Sequence, residues 1–578
     1  LVDELHAFIG NERGKQLQSL LHRLDLAIGR FVPRIALSAT LGDMRMAAEF
    51  LRPGHGEKAL LLNDGDDGRE LQLLLRGTLT KAPVINADKE PDDAAVYSDK
   101  YDIARYMFKV LRGKDNLIFA NRRQDVEFFA DLLRRHCEQV RVPNEFLPHH
   151  GSLSKELREH AEQRLKDKDK PASVVATTTL EMGIDVGSVS SIAQIGNPPS
   201  VAAMKQRLGR SGRRKGEPAI MRAFISEQEI DQRSSPQDML RAQTVQAAAM
   251  VELMLTGWSE PPELRNLHLS TLIQQLLSAI AQLGGVRADH AWKLLCGTGP
   301  FPAVDQSDFV ELLRVLGKKE LLTQAGDGTL VLGVVGEQLV DHYDFYAAFF
   351  ASKEFQLLHD GRSLGSLPIS NPVMAGTHLI FGGRRWTVIT VDIETSVILV
   401  KPSEGGRPPM FDGGAAMVHD RVREQMRMLY TSDVMPLYAD ATARDFIAEG
   451  RAYFRSAGLA TQSFLEVGDR TYMFPWAGDR VMVTLESILC SMDLEVSNGR
   501  IVLEVKVGLK DLKQCIRTIL SHDPPSANDL ARNVENRILG KYDHLLSDGL
   551  QCKNYASAMF DVPTSFEMLR RMVTARKD

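Results

Sequence analysis

Three short apolar runs constrain the fold most: RIALSAT at 34–40, NLIFAN at 116–121 and SVVATTT at 173–179. Runs this brief, bounded by turn residues, are typical of strands buried on both faces, as in parallel sheets. The segments between them are amphipathic with helical spacing, so the first half reads as a parallel α/β arrangement. Polar, Gly-rich NDGDDGRE at 63–70 is a loop, and a boundary near 95 divides this half into units 1–95 and 96–235.

Beyond SEQEIDQRSSPQDM (226–239) the pattern changes. Leu269, Leu272, Ile273, Leu276, Leu277 and Ile280 follow helical spacing. A second helix carries Trp292 and Leu295, a third covers 308–316, and LLTQAGDGTLVLG (321–333) is a hairpin with a Gly-rich turn. Three helices and a hairpin make a winged helix over 255–340. Then THLIFGGRRWTVITVDIETSVILVKP (377–402) holds three alternating strands, part of a β-barrel-like module over 341–430. The remainder, 431–578, mixes helices such as ATARDFIAEGRAYF with strands such as RIVLEVKVG, an α+β region. The fold class is therefore multidomain α/β.

Composition narrows the functional classes. A net charge of −5 excludes a uniformly basic nucleic-acid binder, so any such contact comes from local patches. Five cysteines lie far apart without a Cys-x-x-Cys, which excludes a zinc knuckle of usual spacing and fits reduced thiols in cytoplasm. No apolar run reaches the ~18 residues of a membrane span.

Four segments carry chemistry. Asp3-Glu4-Leu5-His6 ends the first strand; in a nucleoside triphosphatase such an Asp holds Mg2+ through water and such a Glu polarises the attacking water. Ser38-Ala39-Thr40 ends the next strand. TTTLEMGIDVGSV (177–189) offers hydroxyls and amides at a strand end, suited to phosphate. KQRLGRSGRRKGEP (205–218) brings Arg210 and Arg213 to the same side, as charge neutralisation on a transferring phosphate requires. Each segment alone also reads as a solvated turn or basic face; their shared order and spacing argue against that.

Together they resemble superfamily 2 helicases: DELH as motif II, SAT as motif III, TTTLEMGID as motif V and QRLGRSGR as motif VI. NLIFANRRQDVE (116–127) resembles motif IV, and HHGSLSKELRE (149–159) the nucleic-acid-contacting motif that follows it. The wording, with a winged helix and a GRRW stretch in the tail, is similar to the large helicase-related (Lhr-type) family. The resemblance implies two RecA-like domains, the first partial, with ATP and Mg2+ between them. It implies Asp3 as the Mg2+-water ligand, Glu4 aligning the hydrolytic water, and His6 and Gln206 linking the lobes. Arg210 and Arg213 would be arginine fingers, Gly183 and Asp185 would contact the nucleotide, and Ser38 and Thr40 would couple hydrolysis to movement. Asn121, Arg123, His150, Gly151 and Thr177 would grip the tracking strand. Such motors walk 3′→5′ on single-stranded DNA, opening DNA or RNA–DNA duplexes in repair or defence.

One family element is missing. The Gly-Lys pairs at 14–15, 113–114, 317–318 and 540–541 are followed by Gln, Asp, Lys and Tyr, so none completes a G-x-x-x-x-G-K-[ST] phosphate loop. Half of a catalytic cleft is thus encoded, and hydrolysis by this chain alone is expected to be nil or nearly so. Residues 1–95 should expose an unpaired sheet edge. The sequence, starting inside a strand at Leu1 without Met, reads as a fragment of a longer protein or as one subunit of a split motor. A passive nucleic-acid-binding or strand-annealing module is the alternative. Trp386, beside Arg384 and Arg385, either stacks on a base or fills the barrel core; Trp476 is an exposed-loop candidate.

Overall fold

The computed structural model describes residues 1–38, 41–62, 70–81, 97–167, 169–181, 187–214, 216–232, 234–349, 354–368, 377–392, 395–403 and 417–574. Its centre is a six-stranded, wholly parallel sheet of β1 (Leu71–Thr80), β2 (Asn116–Ala120), β3 (Phe146–His149), β4 (Ser173–Ala176), β5 (Ser191–Ile195) and β6 (Ala219–Gln228), in the order β1-β6-β5-β2-β4-β3. Every residue of β2 and β4 is buried, which explains why these strands read as unbroken apolar runs. At the base of the sheet Asn116 Nδ2 donates to Leu111 O at 2.7 Å and Ser173 Oγ at 2.9 Å, so the polar start of β2 is satisfied inside the core.

Helices α3 (Ser98–Leu111) and α4 (Arg123–Gln139) cover one face through Ile103, Met107, Phe128, Phe129 and Leu133. Helices α5 (Lys155–Lys166), α6 (Val201–Leu208) and α7 (Ala242–Leu255) cover the other through Leu165, Met204, Leu208 and Val245. Strand β1 corrects the boundary near 95: it pairs with β6 over its full length and so belongs to the second lobe.

The first lobe comprises the segment around Leu5, α1 (Glu12–Ile28), an extended stretch to Ser38 and α2 (Met44–Leu51), packed on a small core of Leu5, Ala47 and Phe50. The described part of RIALSAT, residues 34–38, lies in no strand; a parallel bridge, Val2 to Ala36, joins it to the acidic segment. Phe31, Ile35 and Leu37 are 66%, 64% and 51% exposed, so this stretch presents apolar side chains to solvent.

The next region combines helices with a small antiparallel sheet. Helix α8 (Leu269–Leu283) buries all six of the apolar positions named above, α9 is Gln306–Lys318, and β7 (Val286–Arg287), β8 (Leu322–Gln324) and β9 (Thr329–Leu332) form the small sheet. This domain docks on the first lobe: Glu12 accepts from Thr271 N at 3.2 Å and pairs with His268 at 2.7 Å. The β-module is a five-stranded sheet of β10 (Glu354–His359), β11 (Arg362–Pro368), β12 (His378–Phe381), β13 (Arg384–Asp392) and β14 (Val397–Pro402), ordered β11-β10-β14-β13-β12.

The module is smaller than 341–430. Phe345 belongs to the winged-helix core, while α10 (Asp420–Thr431) packs on α7, with Tyr430 Oη donating to Leu240 O at 2.8 Å. Helix α11 (Ala441–Ser456) then covers the sheet edge at β1, where Leu75 N donates to Tyr438 O at 2.8 Å. Gly77 permits this: a Cβ there would lie 2.8 Å from Ala443 N. The last domain sets four short strands, Phe464–Val467, Arg470–Met473, Val496–Asn498 and Leu503–Val505, against helices that include Asp479–Cys490 and Leu509–Leu520. Among the described residues no helix is long and apolar enough to cross a membrane.

Candidate motor cleft and nucleic-acid face

The acidic turn of the first lobe faces α6 of the second. Glu4 adopts a left-handed backbone (φ 51°), and its N–H donates to Oδ1 of the exposed Asp3 at 2.9 Å. His6 Nδ1 lies 2.9 Å from Ser38 Oγ and 3.6 Å from Glu4 Oε2, so motifs II and III meet through one imidazole. Gln206 approaches the same ring from the second lobe. Burial lowers the His6 pKa, with Glu4, Glu181 and Asp3 opposing, and its buried Nε2 makes no short hydrogen bond.

Arg210 is 7% exposed and donates to Glu181 O at 2.8 Å. Burial and neighbouring Arg213 lower its pKa, while Glu4 across the cleft and Glu181 raise it. Arg213 is exposed, with Nε on Gly209 O at 3.1 Å. The two guanidiniums are close enough to influence each other, and Arg210 also feels the charge of Glu4. Arg207 is different: fully buried, it pairs with Glu181 Oε2 at 3.0 Å, hydrogen-bonds Gln194 and stacks over Phe119.

Two carboxylates escape sequence reasoning. Glu181 holds Arg207 by its side chain and Arg210 by its carbonyl. Glu260, from the linker to the winged helix, accepts from Val201 N at 2.8 Å and Ala202 N at 2.9 Å, capping the helix that carries Gln206. Glu181 sits inside TTTLEMGID, a usable signal; nothing local marks Glu260. Thr40, Gly183 and Asp185 lie outside the described residues.

Asn121, Arg123, Gly151 and Thr177 follow the carboxyl ends of β2, β3 and β4, adjacent in the sheet, so the proposed gripping residues share one edge. Asn121 is exposed and donates to Asn197 O at 2.5 Å, beside a hollow of about 360 Å³ that Lys100, Arg122 and Gln243 also line. Gly151 is exposed, and Thr177 is half-buried with its N–H on His149 O at 3.3 Å.

His150 is a correction: it is 1% exposed and its Nε2 lies 2.7 Å from Glu127 Oε1, turned into the fold and away from any strand. Trp386 is another. It is 5% exposed, donates from Nε1 to Phe381 O at 2.8 Å and packs in the β-module core, so its ring is unavailable for stacking on a base. Arg385 is also buried, paired with Asp131 of α4 at 2.9 Å. Gly382 and Gly383 donate their N–H groups to the Glu127 carboxylate at 2.8 and 2.6 Å. The GGRRW stretch therefore clamps the β-module onto the second lobe. Trp476 is 6% exposed among Tyr430, Phe454 and Phe474, a core residue.

This parallel sheet with a basic helix end at an interlobe cleft is that of a helicase C-terminal lobe, and residues 99–215 match the helicase conserved C-terminal domain. The chain is similar to helicases of the Lhr type. It is 31% identical over 323 residues to ATP-dependent helicase Lhr-Core protein 2 of Thermococcus barophilus, covering 55% of this chain and 34% of that protein. It is 29% identical over 471 residues to the Lhr helicase/uracil glycosylase of Escherichia coli, covering 72% of this chain and 29% of that protein. The chain thus spans about a third of the length of these relatives. Its fold is similar to that of Mycobacterium smegmatis helicase Lhr bound to ssDNA and AMP-PNP, with a TM-score of 0.67 at 21% identity, over 100% of this chain and 77% of that one.

Proposed function

We propose that this chain supplies the second motor lobe, half of the nucleotide cleft and the guiding tail of an ATP-dependent 3′→5′ DNA helicase of the Lhr type. The observation that carries the reading is the facing of Glu4 and His6 by Arg210 and Gln206 across one cleft. Asp3 fits a water-mediated role toward Mg2+, since its carboxylate is exposed and accepts from the Glu4 amide alone among the hydrogen bonds of the described residues. Mg2+ bound with ATP neutralises phosphate charge.

The chain's own groups supply the rest. Glu4 orients the attacking water, with the neutral His6 ring fixed by Ser38 so that hydrolysis shifts the first lobe's strand ends. Arg210, kept dry by its burial, stabilises charge developing on the transferred phosphoryl group; Arg213 adds positive potential at the mouth. Asn121, Arg123, Gly151 and Thr177 hold backbone rather than bases, which suits movement without sequence preference.

The 578 residues contain no phosphate loop, so turnover needs the phosphate-cradling half, in the same or another chain. The test is ATP hydrolysis with and without a polypeptide supplying that half. Activity stimulated by single-stranded DNA should arise only in the mixture. Turnover by this chain alone, or none in a mixture shown to form a complex, overturns the reading.

A further inference from the structure

The residues expected to grip a strand are in contact with the β-module. Arg123, in the first turn of α4, is 44% exposed at its side chain; its Nη1 lies 3.2 Å from Glu354 Oε1 and bonds Ser152 Oγ. Glu354 opens β10, is 19% exposed, lies 3.5 Å from Ser152 Oγ and accepts from Ser366 Oγ. The backbone fixes this arrangement. Ser366 N donates to Ser152 O at 2.7 Å and Ser154 N to Leu364 O at 3.0 Å, with Leu153 bridged to Gly365. Gly365 (φ +145°) is required, because a Cβ there would meet Ser152 O at 2.1 Å.

A guanidinium, a serine hydroxyl and the first turn of a helix form a seat for an anion of single negative charge. A backbone phosphate fits those donors, yet here a carboxylate from another domain holds them. We propose that Glu354 occupies the phosphate seat of Arg123 and Ser152, so that a single strand engages this edge by exchanging with it. Glu354 is thus a positioning residue that weakens nucleic-acid binding and couples it to release of the β10 edge of the β-module. This rests on the reading that Arg123 contacts nucleic-acid backbone.

The test uses the 578-residue chain and a fluorescein-labelled thymidylate oligonucleotide of about 20 nucleotides, with anisotropy read across a salt series. Glu354→Gln keeps the shape and an acceptor for Ser366 but removes the competing charge. It should tighten binding about threefold to tenfold at low salt and steepen the log–log salt dependence by up to about 0.7, one phosphate contact. Arg123→Ala should weaken binding, and the double variant should match Arg123→Ala alone. A merely structural carboxylate would instead lower the melting temperature of Glu354→Gln without steepening the salt slope. If Arg123→Ala weakens binding while Glu354→Gln leaves it unchanged or weaker, the exchange is refuted and the gripping role stands. If Arg123→Ala changes nothing, the gripping role itself fails, and the exchange with it.

Discussion

Glu227 ends the sheet beside the C-terminal arm and gives a prediction with a defined sign. It is 5% exposed, accepts from Thr244 N at 2.7 Å at the start of α7, and has Arg241 and Asp238 as charged neighbours. Burial raises its pKa from 4.5 to about 7, against the Thr244 bonds and Arg241. Because the folded value lies above the unfolded one, the folded state binds the extra proton. Stability is therefore highest at low pH, falls as pH rises from the unfolded value, and levels off above the folded value. Linkage gives a penalty of about 3 kcal/mol at pH 8 and about 1 kcal/mol at pH 5. Glu227→Gln removes the titration while keeping an acceptor for Thr244. The gain of the variant over the parent should exceed its pH 5 value by about 2 kcal/mol at pH 8, roughly 4–8 °C in melting temperature. Melting of both proteins at the two pH values decides it. An equal difference at both would show that Glu227 ionises normally and that burial does not govern it.

Trp386→Ala should cost about 3–5 kcal/mol by emptying the β-module core, read as early proteolysis between residues 354 and 403; weakened oligonucleotide binding with an intact module would restore the base-stacking role. Glu260→Ala should leave the Val201 and Ala202 amides of α6 without their acceptor, with the Ser200 cap remaining, and cost about 1 kcal/mol. In the mixture with the phosphate-loop half it should lower stimulated ATPase, with Glu260→Gln recovering most of it; an unchanged rate would show that the cap does not place Gln206 and Arg210.

The parts legible in the sequence were those set by local pattern. The six apolar positions of α8 recur at helical spacing because one face is buried, and all six are core. Strands β2 and β4 read correctly because burial on both faces leaves them no polar alternation. The illegible parts depend on distant partners. Residues 71–80 fall in the first unit by sequence, but their pairing with residues 219–228 is a tertiary fact that local pattern does not carry. RIALSAT looks like a strand, yet its described residues 34–38 keep one bridge, because few neighbours in the described first lobe pair with them. His150 and Trp386 carry the chemistry of nucleic-acid contact, and Glu127 and the module core divert both inward. Glu181, by contrast, was visible in a motif, though its double hold on Arg207 and Arg210 was not.

The central claim is that Arg210 completes the nucleotide cleft from the second lobe. Its most direct test is single-stranded-DNA-stimulated ATP hydrolysis by the mixture with the phosphate-loop half, comparing the parent with Arg210→Ala. The account predicts a fall of about 10³-fold or more with complex formation and the melting profile preserved. A variant that hydrolyses ATP at the parent rate would contradict it.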